Sequence, residues 1–105
     1  MSSDGFERAT PVADFPPGTM KVVQAAGMDV MIANVGGSFY ALPNRCTHVG
    51  GPLGKGRLVG SVVTCPLHGS KFDVKTGAVV RPPARVPEPP LQVKVDGSYI
   101  WVKKV

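Results

Sequence analysis

The chain has 105 residues, 43% hydrophobic and 18% charged, with 13 Gly, 11 Pro and a net charge of +5. That length holds one domain with one core, and its near-average apolar content argues against a disordered tail. Gly and Pro recur too often for a long helical bundle, so the composition points to a small, turn-rich β domain.

In chain order, residues 6–12 make a candidate edge strand limited by Pro11. Residues 20–24 (MKVVQ) and 28–34 (MDVMIAN) are β-branched runs separated by Ala25-Ala26-Gly27. Gly36-Gly37 turns the second run into residues 38–42 (SFYAL), a pair that suits a two-residue hairpin needing positive φ. Residues 43–79 change character, with Pro, Gly, Cys and His dominating and short strands expected only at 57–59 and 61–64. Residues 81–90 (RPPARVPEPP) hold five of the prolines and predict an extended connector along the domain. Residues 91–95 and 98–102, joined by Asp96-Gly97, predict a type I′ hairpin. The sum is an all-β base, roughly 1–42 and 80–105, carrying an inserted loop-rich unit at roughly 43–79.

Two function classes lose support at once. No Lys/Arg run exceeds Lys103-Lys104 and the aromatics form no stacking platform, which argues against nucleic acid as a partner. The N-terminus, MSSDGFERATPVADF, carries Asp4 and Glu7 where a secretory peptide needs a basic start and an apolar stretch. Hydrophobic runs also fall short of the roughly 20 residues that span a bilayer, so no membrane association is expected. The expectation is a cytoplasmic chain, where a Cys pair marks a metal site or catalysis more often than a disulfide.

All the Cys and His fall into two short signatures. Cys46-Thr47-His48 is followed, after sixteen residues, by Cys65-Pro66-Leu67-His68. Two Cys and two His gathered at two glycine-flanked loops are what a four-coordinate metal centre needs. A zinc-stabilised interaction module takes the same residues, although a zinc finger of the usual kind places its Cys pair before its His pair.

The two signatures together resemble the Rieske family, whose pattern is C-x-H, a spacer of this length, then C-x-x-H. The neighbours agree: Val49-Gly50-Gly51-Pro52-Leu53 after the first signature and Gly69-Ser70 after the second. Downstream, Phe72-Asp73, Thr76-Gly77, Pro82-Pro83-Ala84 and Pro90-Leu91 also fit. The resemblance implies one [2Fe–2S] cluster, with Cys46 and Cys65 on the inner iron and His48 and His68 on the outer one. Two thiolates leave the oxidised centre neutral where four would leave it at −2, so His ligation raises the potential. It also implies imidazole edges near the surface and a reduction coupled to protonation at high pH. Gly50, Gly51 and Gly69 would let backbone N–H groups approach the sulfides, and the Ser70 hydroxyl would donate to one of them. The alternative for Ser70 is a plain loop cap. Phe72 and Leu53 are expected to pack under the loops, and Trp101 to sit half-buried in the last hairpin.

Departures from the family's high-potential members place the subclass. Gly51 and Leu67 stand where those members carry a disulfide, and Phe72 stands where they carry Tyr. With Ser70 retained, the potential is expected in the lower half of the family's range of about −150 to +300 mV.

The cluster ligands use both histidines, and the chain length leaves no room for a second, mononuclear iron site of the kind an oxygenase needs. The resemblance therefore implies an electron carrier and not an enzyme. Its partners would be a flavin-dependent NAD(P)H reductase and a terminal oxygenase, such as an aromatic-ring dioxygenase, docking near the His48/His68 edge. The small subunit of an assimilatory nitrite reductase is the alternative within the family. Arg45, Lys55, Arg57, Lys71 and Lys75 face the single acid Asp73 between residues 45 and 78. They make either a solvated rim or a docking face for an acidic partner, with Arg45, Lys55, Arg57 and Lys71 as the candidate contacts.

Overall fold

The computed structural model describes residues 5–45, 52–67, 69–82 and 84–104. Ten strands lie among them, in three antiparallel sheets. The first sheet contains β1 (Glu7–Pro11), β9 (Gln92–Asp96) and β10 (Tyr99–Lys103), in the order β1-β10-β9. The second is a meander of β2 (Met20–Ala25), β3 (Met28–Val35) and β4 (Ser38–Pro43). The third is a meander of β5 (Arg57–Val59), β6 (Val62–Thr64), β7 (Lys71–Asp73) and β8 (Val79–Arg81). The all-β expectation holds. The only helical pieces among the described residues are 3-10 turns at Val12–Asp14 and Leu53–Lys55.

The β2-β3-β4 sheet is the middle layer, and β3 shows why. A strand covered on both faces reads as a near-continuous apolar run, and Val30 to Ala33 are all fully buried. Val30 and Ile32 pack with Phe15, Ala41, Ile100 and Val102, towards the β1-β10-β9 sheet. Met31 and Ala33 pack on the opposite face with Leu53, Val63, Cys65, Phe72 and Ala84, towards the third sheet. Phe72 and Leu53 are fully buried in that second group, as packing residues should be.

Turn chemistry sets the registers. Gly36 and Gly37 both have positive φ, 62° and 96°, and close the expected two-residue hairpin. Ala26 at φ 55° and Gly27 at φ 75° do the same between β2 and β3, so Ala25 joins the strand instead of the turn. The last hairpin is a correction. Its register pairs Asp96 with Tyr99, so the turn residues are Gly97-Ser98 and both strands lie one position later than expected. Gly97 has φ 66° while Ser98 is not left-handed, the pattern of a type II′ turn, which needs positive φ only at its first central residue. Trp101 is half-buried on β10, and its indole N–H reaches the Asp96 carbonyl at 3.4 Å.

The second correction concerns the inserted segment. Beyond the expected strands at 57–59 and 61–64, of which the latter starts at Val62, its sheet also has β7 and β8, and β8 carries that sheet past residue 79 to Arg81. The connector starts only after Arg81, follows with no regular structure among its described residues and ends where the Leu91 N–H bonds to the Ala41 carbonyl at 3.0 Å.

Candidate metal centre

Cys65 follows β6 directly and Ser70 precedes β7, so Cys65, Pro66 and Leu67 of the second signature sit in the loop of a short hairpin. Two backbone bonds lock it. The Cys65 N–H donates to the Ser70 carbonyl at 2.7 Å, and the Gly69 N–H donates to the Cys65 carbonyl at 3.2 Å. The second bond turns the chain back sharply at Gly69, whose φ of 78° is one that side chains rarely adopt. Pro66 and Leu67 stand exposed at the tip. Period-two alternation along β6 turns Val63 inward and Thr64 outward, and Cys65 continues inward, 2% exposed.

The first signature lies outside the described residues, as do His68 and the glycines Gly50 and Gly51. The segments that flank it are placed. Arg45 follows β4 and is exposed, and the 3-10 turn at Leu53–Lys55 resumes the chain. The Asn44 side-chain carbonyl accepts from the Gly54 N–H at 2.6 Å, and the Asn44 N–H reaches the Asp29 carbonyl at 3.0 Å. Asn44 thus ties both ends of the 46–51 segment to the middle sheet.

A third segment closes over the hairpin loop. Ser70 is 1% exposed, and its Oγ accepts from the Ala84 N–H of the proline-rich connector at 3.0 Å. A hydroxyl that accepts one bond keeps its own proton to donate elsewhere, so this contact fixes Oγ and aims the proton away from Ala84. Glu88, further along the connector, is 2% exposed, and its N–H donates to the Gly77 carbonyl at 2.8 Å. In the sequence Ala84 stands out only within the downstream Pro82-Pro83-Ala84 match, with no contact implied, and Glu88 does not stand out at all. Their signal is weak, because a proline-rich run says that a segment is extended but not what it lies on.

These donors suit a thiolate-held cluster. An inward cysteine, a tight loop with left-handed glycine and a buried hydroxyl provide a soft ligand and a polar donor held out of solvent. A model of the Rieske [2Fe–2S] domain matches residues 6–101. The chain belongs to the Rieske [2Fe–2S] family. It accordingly carries one [2Fe–2S] cluster and serves as an electron carrier. The 3-phenylpropionate/cinnamic acid dioxygenase ferredoxin subunit of Shigella boydii serotype 4 is 38% identical over 95 residues, covering 90% of this chain and 89% of that one. The ferredoxin of carbazole 1,9a-dioxygenase from Nocardioides aromaticivorans superposes with a TM-score of 0.91 at 33% identity, over 97% of this chain and 100% of that one. A chain in a complex of reduced oxygenase and oxidised ferredoxin of carbazole 1,9a-dioxygenase has a TM-score of 0.90 at 32% identity, covering 98% of both chains. Among the described residues no helix is long and apolar enough to cross a membrane.

Proposed function

We propose that this Rieske carrier takes single electrons from a flavin-containing, NAD(P)H-dependent reductase and delivers them to a terminal oxygenase, without itself oxidising substrate. Cys46 and Cys65 hold the inner iron, and His48 and His68 hold the outer one. The observation that carries this reading is the inward Cys65 at the head of the Cys65–Ser70 hairpin loop, with buried Ser70 and the connector behind it. The base, roughly 1–42 and 80–105, then serves as a rigid mount for the cluster-binding part at roughly 43–79. The cytoplasm is the compartment in which such a carrier meets its reductase. The ferredoxin–oxygenase complex of the carbazole system supports the oxygenase as partner.

A bound [2Fe–2S] centre supplies one-electron redox chemistry. The chain's residues set where and at what potential. Gly69 brings backbone N–H groups round the loop, and Ser70 holds a proton ready for a sulfur acceptor. Replacing Ser70 with Ala removes a hydrogen bond that strengthens when the centre gains an electron. Such a bond to a charged group is worth about 1.5–3 kcal/mol in full, so the potential is expected to fall by at most about 65–130 mV at full iron content. Protein-film voltammetry with iron analysis checks this. An unchanged potential assigns Ser70 to loop capping alone.

The free-carrier role is tested by purification from its native host at moderate salt. The chain is expected to elute alone, with its cluster, and to be reduced by NAD(P)H only when a flavoprotein is added. A persistent complex with a large reductase subunit would instead identify it as a nitrite reductase small subunit.

A further inference from the structure

The third sheet places three cations in one line. In antiparallel pairing, directly opposed residues share a face of the sheet. Arg57 opposes Thr64, Thr64 opposes Lys71, and Lys71 opposes Arg81. The next row, with Leu58, Val63, Phe72 and Val79, turns inward and includes the buried Val63 and Phe72. The cationic row therefore faces out, and Arg57 and Arg81 are exposed. With strands spaced about 4.8 Å apart, its four positions span about 14 Å.

Three features make this row more than a solvated rim. It lies at the end of the sheet nearest the candidate ligand Cys65, since Thr64 immediately precedes Cys65 and Lys71 immediately follows Ser70. Like charges directly opposed across a sheet are destabilising, yet Lys71 stands opposite Arg81. The bulge between Lys71 and Phe72, where Val80 has no partner, returns Arg81 to the outer face. The Lys71 ammonium donates to the Thr64 Oγ1 at 2.7 Å, which fixes it within the row and leaves it two further donors. Asp73, two residues on from Lys71, already accepts the Lys75 N–H through its carboxylate at 2.9 Å, and lies on the side of the row away from the loop.

We propose that the Arg57–Lys71–Arg81 row is the strip on which an electron-transfer partner docks through a carboxylate-lined surface. The proposal rests on the carrier function above and deepens it. Of the cations expected to make contacts, Arg57 and Lys71 fall in the row, Arg81 joins them, and Arg45 and Lys55 lie outside it. Charge complementarity selects the occupant: an acidic protein face is drawn to the strip and oriented with the second ligand loop at its edge.

The test uses the cluster-loaded chain and two haem proteins of opposite surface charge as probes, acidic cytochrome b5 and basic cytochrome c. In each reaction the reduced chain loses one electron and a ferric haem becomes ferrous. Two triple variants each remove three positive charges. One is Arg57→Gln/Lys71→Gln/Arg81→Gln. The other, on the outer sheet beyond the middle layer, is Arg8→Gln/Lys94→Gln/Lys103→Gln. At about 0.1 M ionic strength the strip variant is expected to react roughly tenfold more slowly with cytochrome b5 and faster with cytochrome c. The remote variant should change either rate less than about twofold, since its charges sit on the sheet across the middle layer from the loop and are screened over about 10 Å at that salt. Equal effects of the two triples would overturn the proposal, because net charge alone would then set the rates. Arg81→Gln alone should show the same signs at reduced size, and an unchanged rate with cytochrome b5 overturns the strip even if the triple variant does not fold. Loss of the visible [2Fe–2S] spectrum in the unmodified chain would instead count against the carrier function.

Discussion

Replacing His68 with Cys is expected to abolish the mixed-ligand spectrum and lower the reduction potential by at least about 100 mV, towards the roughly −400 mV of all-Cys plant-type clusters. The sign follows from charge. A third thiolate makes the oxidised centre more negative, so adding an electron costs more. The thiolate also has no ring N–H to titrate, so the potential's dependence on high pH should weaken. Voltammetry between pH 6 and 11, together with the visible spectrum, checks both effects. An unchanged spectrum with full iron content would remove His68 from the ligand set.

The second large effect is on stability, at a glycine away from the ligand loops. Gly77 has φ 79°, and a Cβ there would overlap the backbone carbonyl oxygen of Glu88. Its N–H donates to the Asp73 carbonyl at 2.7 Å, and its carbonyl accepts from the Glu88 N–H. Alanine at this position must therefore strain the turn and push the connector off the β7–β8 hairpin. Gly77→Ala is expected to lose about 3 kcal/mol or more, by left-handed strain and displacement of a packed backbone together. For a domain of this size that lowers the melting temperature by about 12 °C or more. Gly69→Ala is the internal control. Its φ is equally left-handed, at 78°, but among the described residues a Cβ there meets nothing within 4 Å, so the cost should be about 1 kcal/mol. Urea denaturation of both variants decides the matter, and equal losses would mean that the connector is not held by the Gly77–Glu88 contact.

The fold was legible where local chemistry decides it. The Gly36-Gly37 pair demands positive φ at two successive residues, and the chain turns there as expected. The continuous apolar run of β3 announces a buried strand. The final hairpin shows the limit of such reasoning. Asp96-Gly97 and Gly97-Ser98 are both acceptable turn pairs, and only the pairing of Asp96 with Tyr99 separates them. β7 and β8 were missed for a different reason. Each has three residues, too few to establish a period, and each borders a stronger signal, the second signature or the proline run.

The candidate centre was legible through two short motifs because metal ligation restricts residue type and spacing more tightly than packing does. What surrounds it was less so. Ser70 was singled out, but its bond to the Ala84 N–H joins residues fourteen positions apart and depends on where the connector runs. The alignment of Arg57, Lys71 and Arg81 likewise exists only through strand register, and a shift of one residue would send those side chains to the opposite face.

The most direct test of the account is the electron paramagnetic resonance spectrum of the dithionite-reduced protein. A rhombic signal integrating to one spin per chain, with an average g below that of all-Cys [2Fe–2S] clusters, is the predicted result and would establish Cys and His ligation together. A silent sample with one zinc ion per chain would contradict it and leave the same four side chains as a structural zinc site.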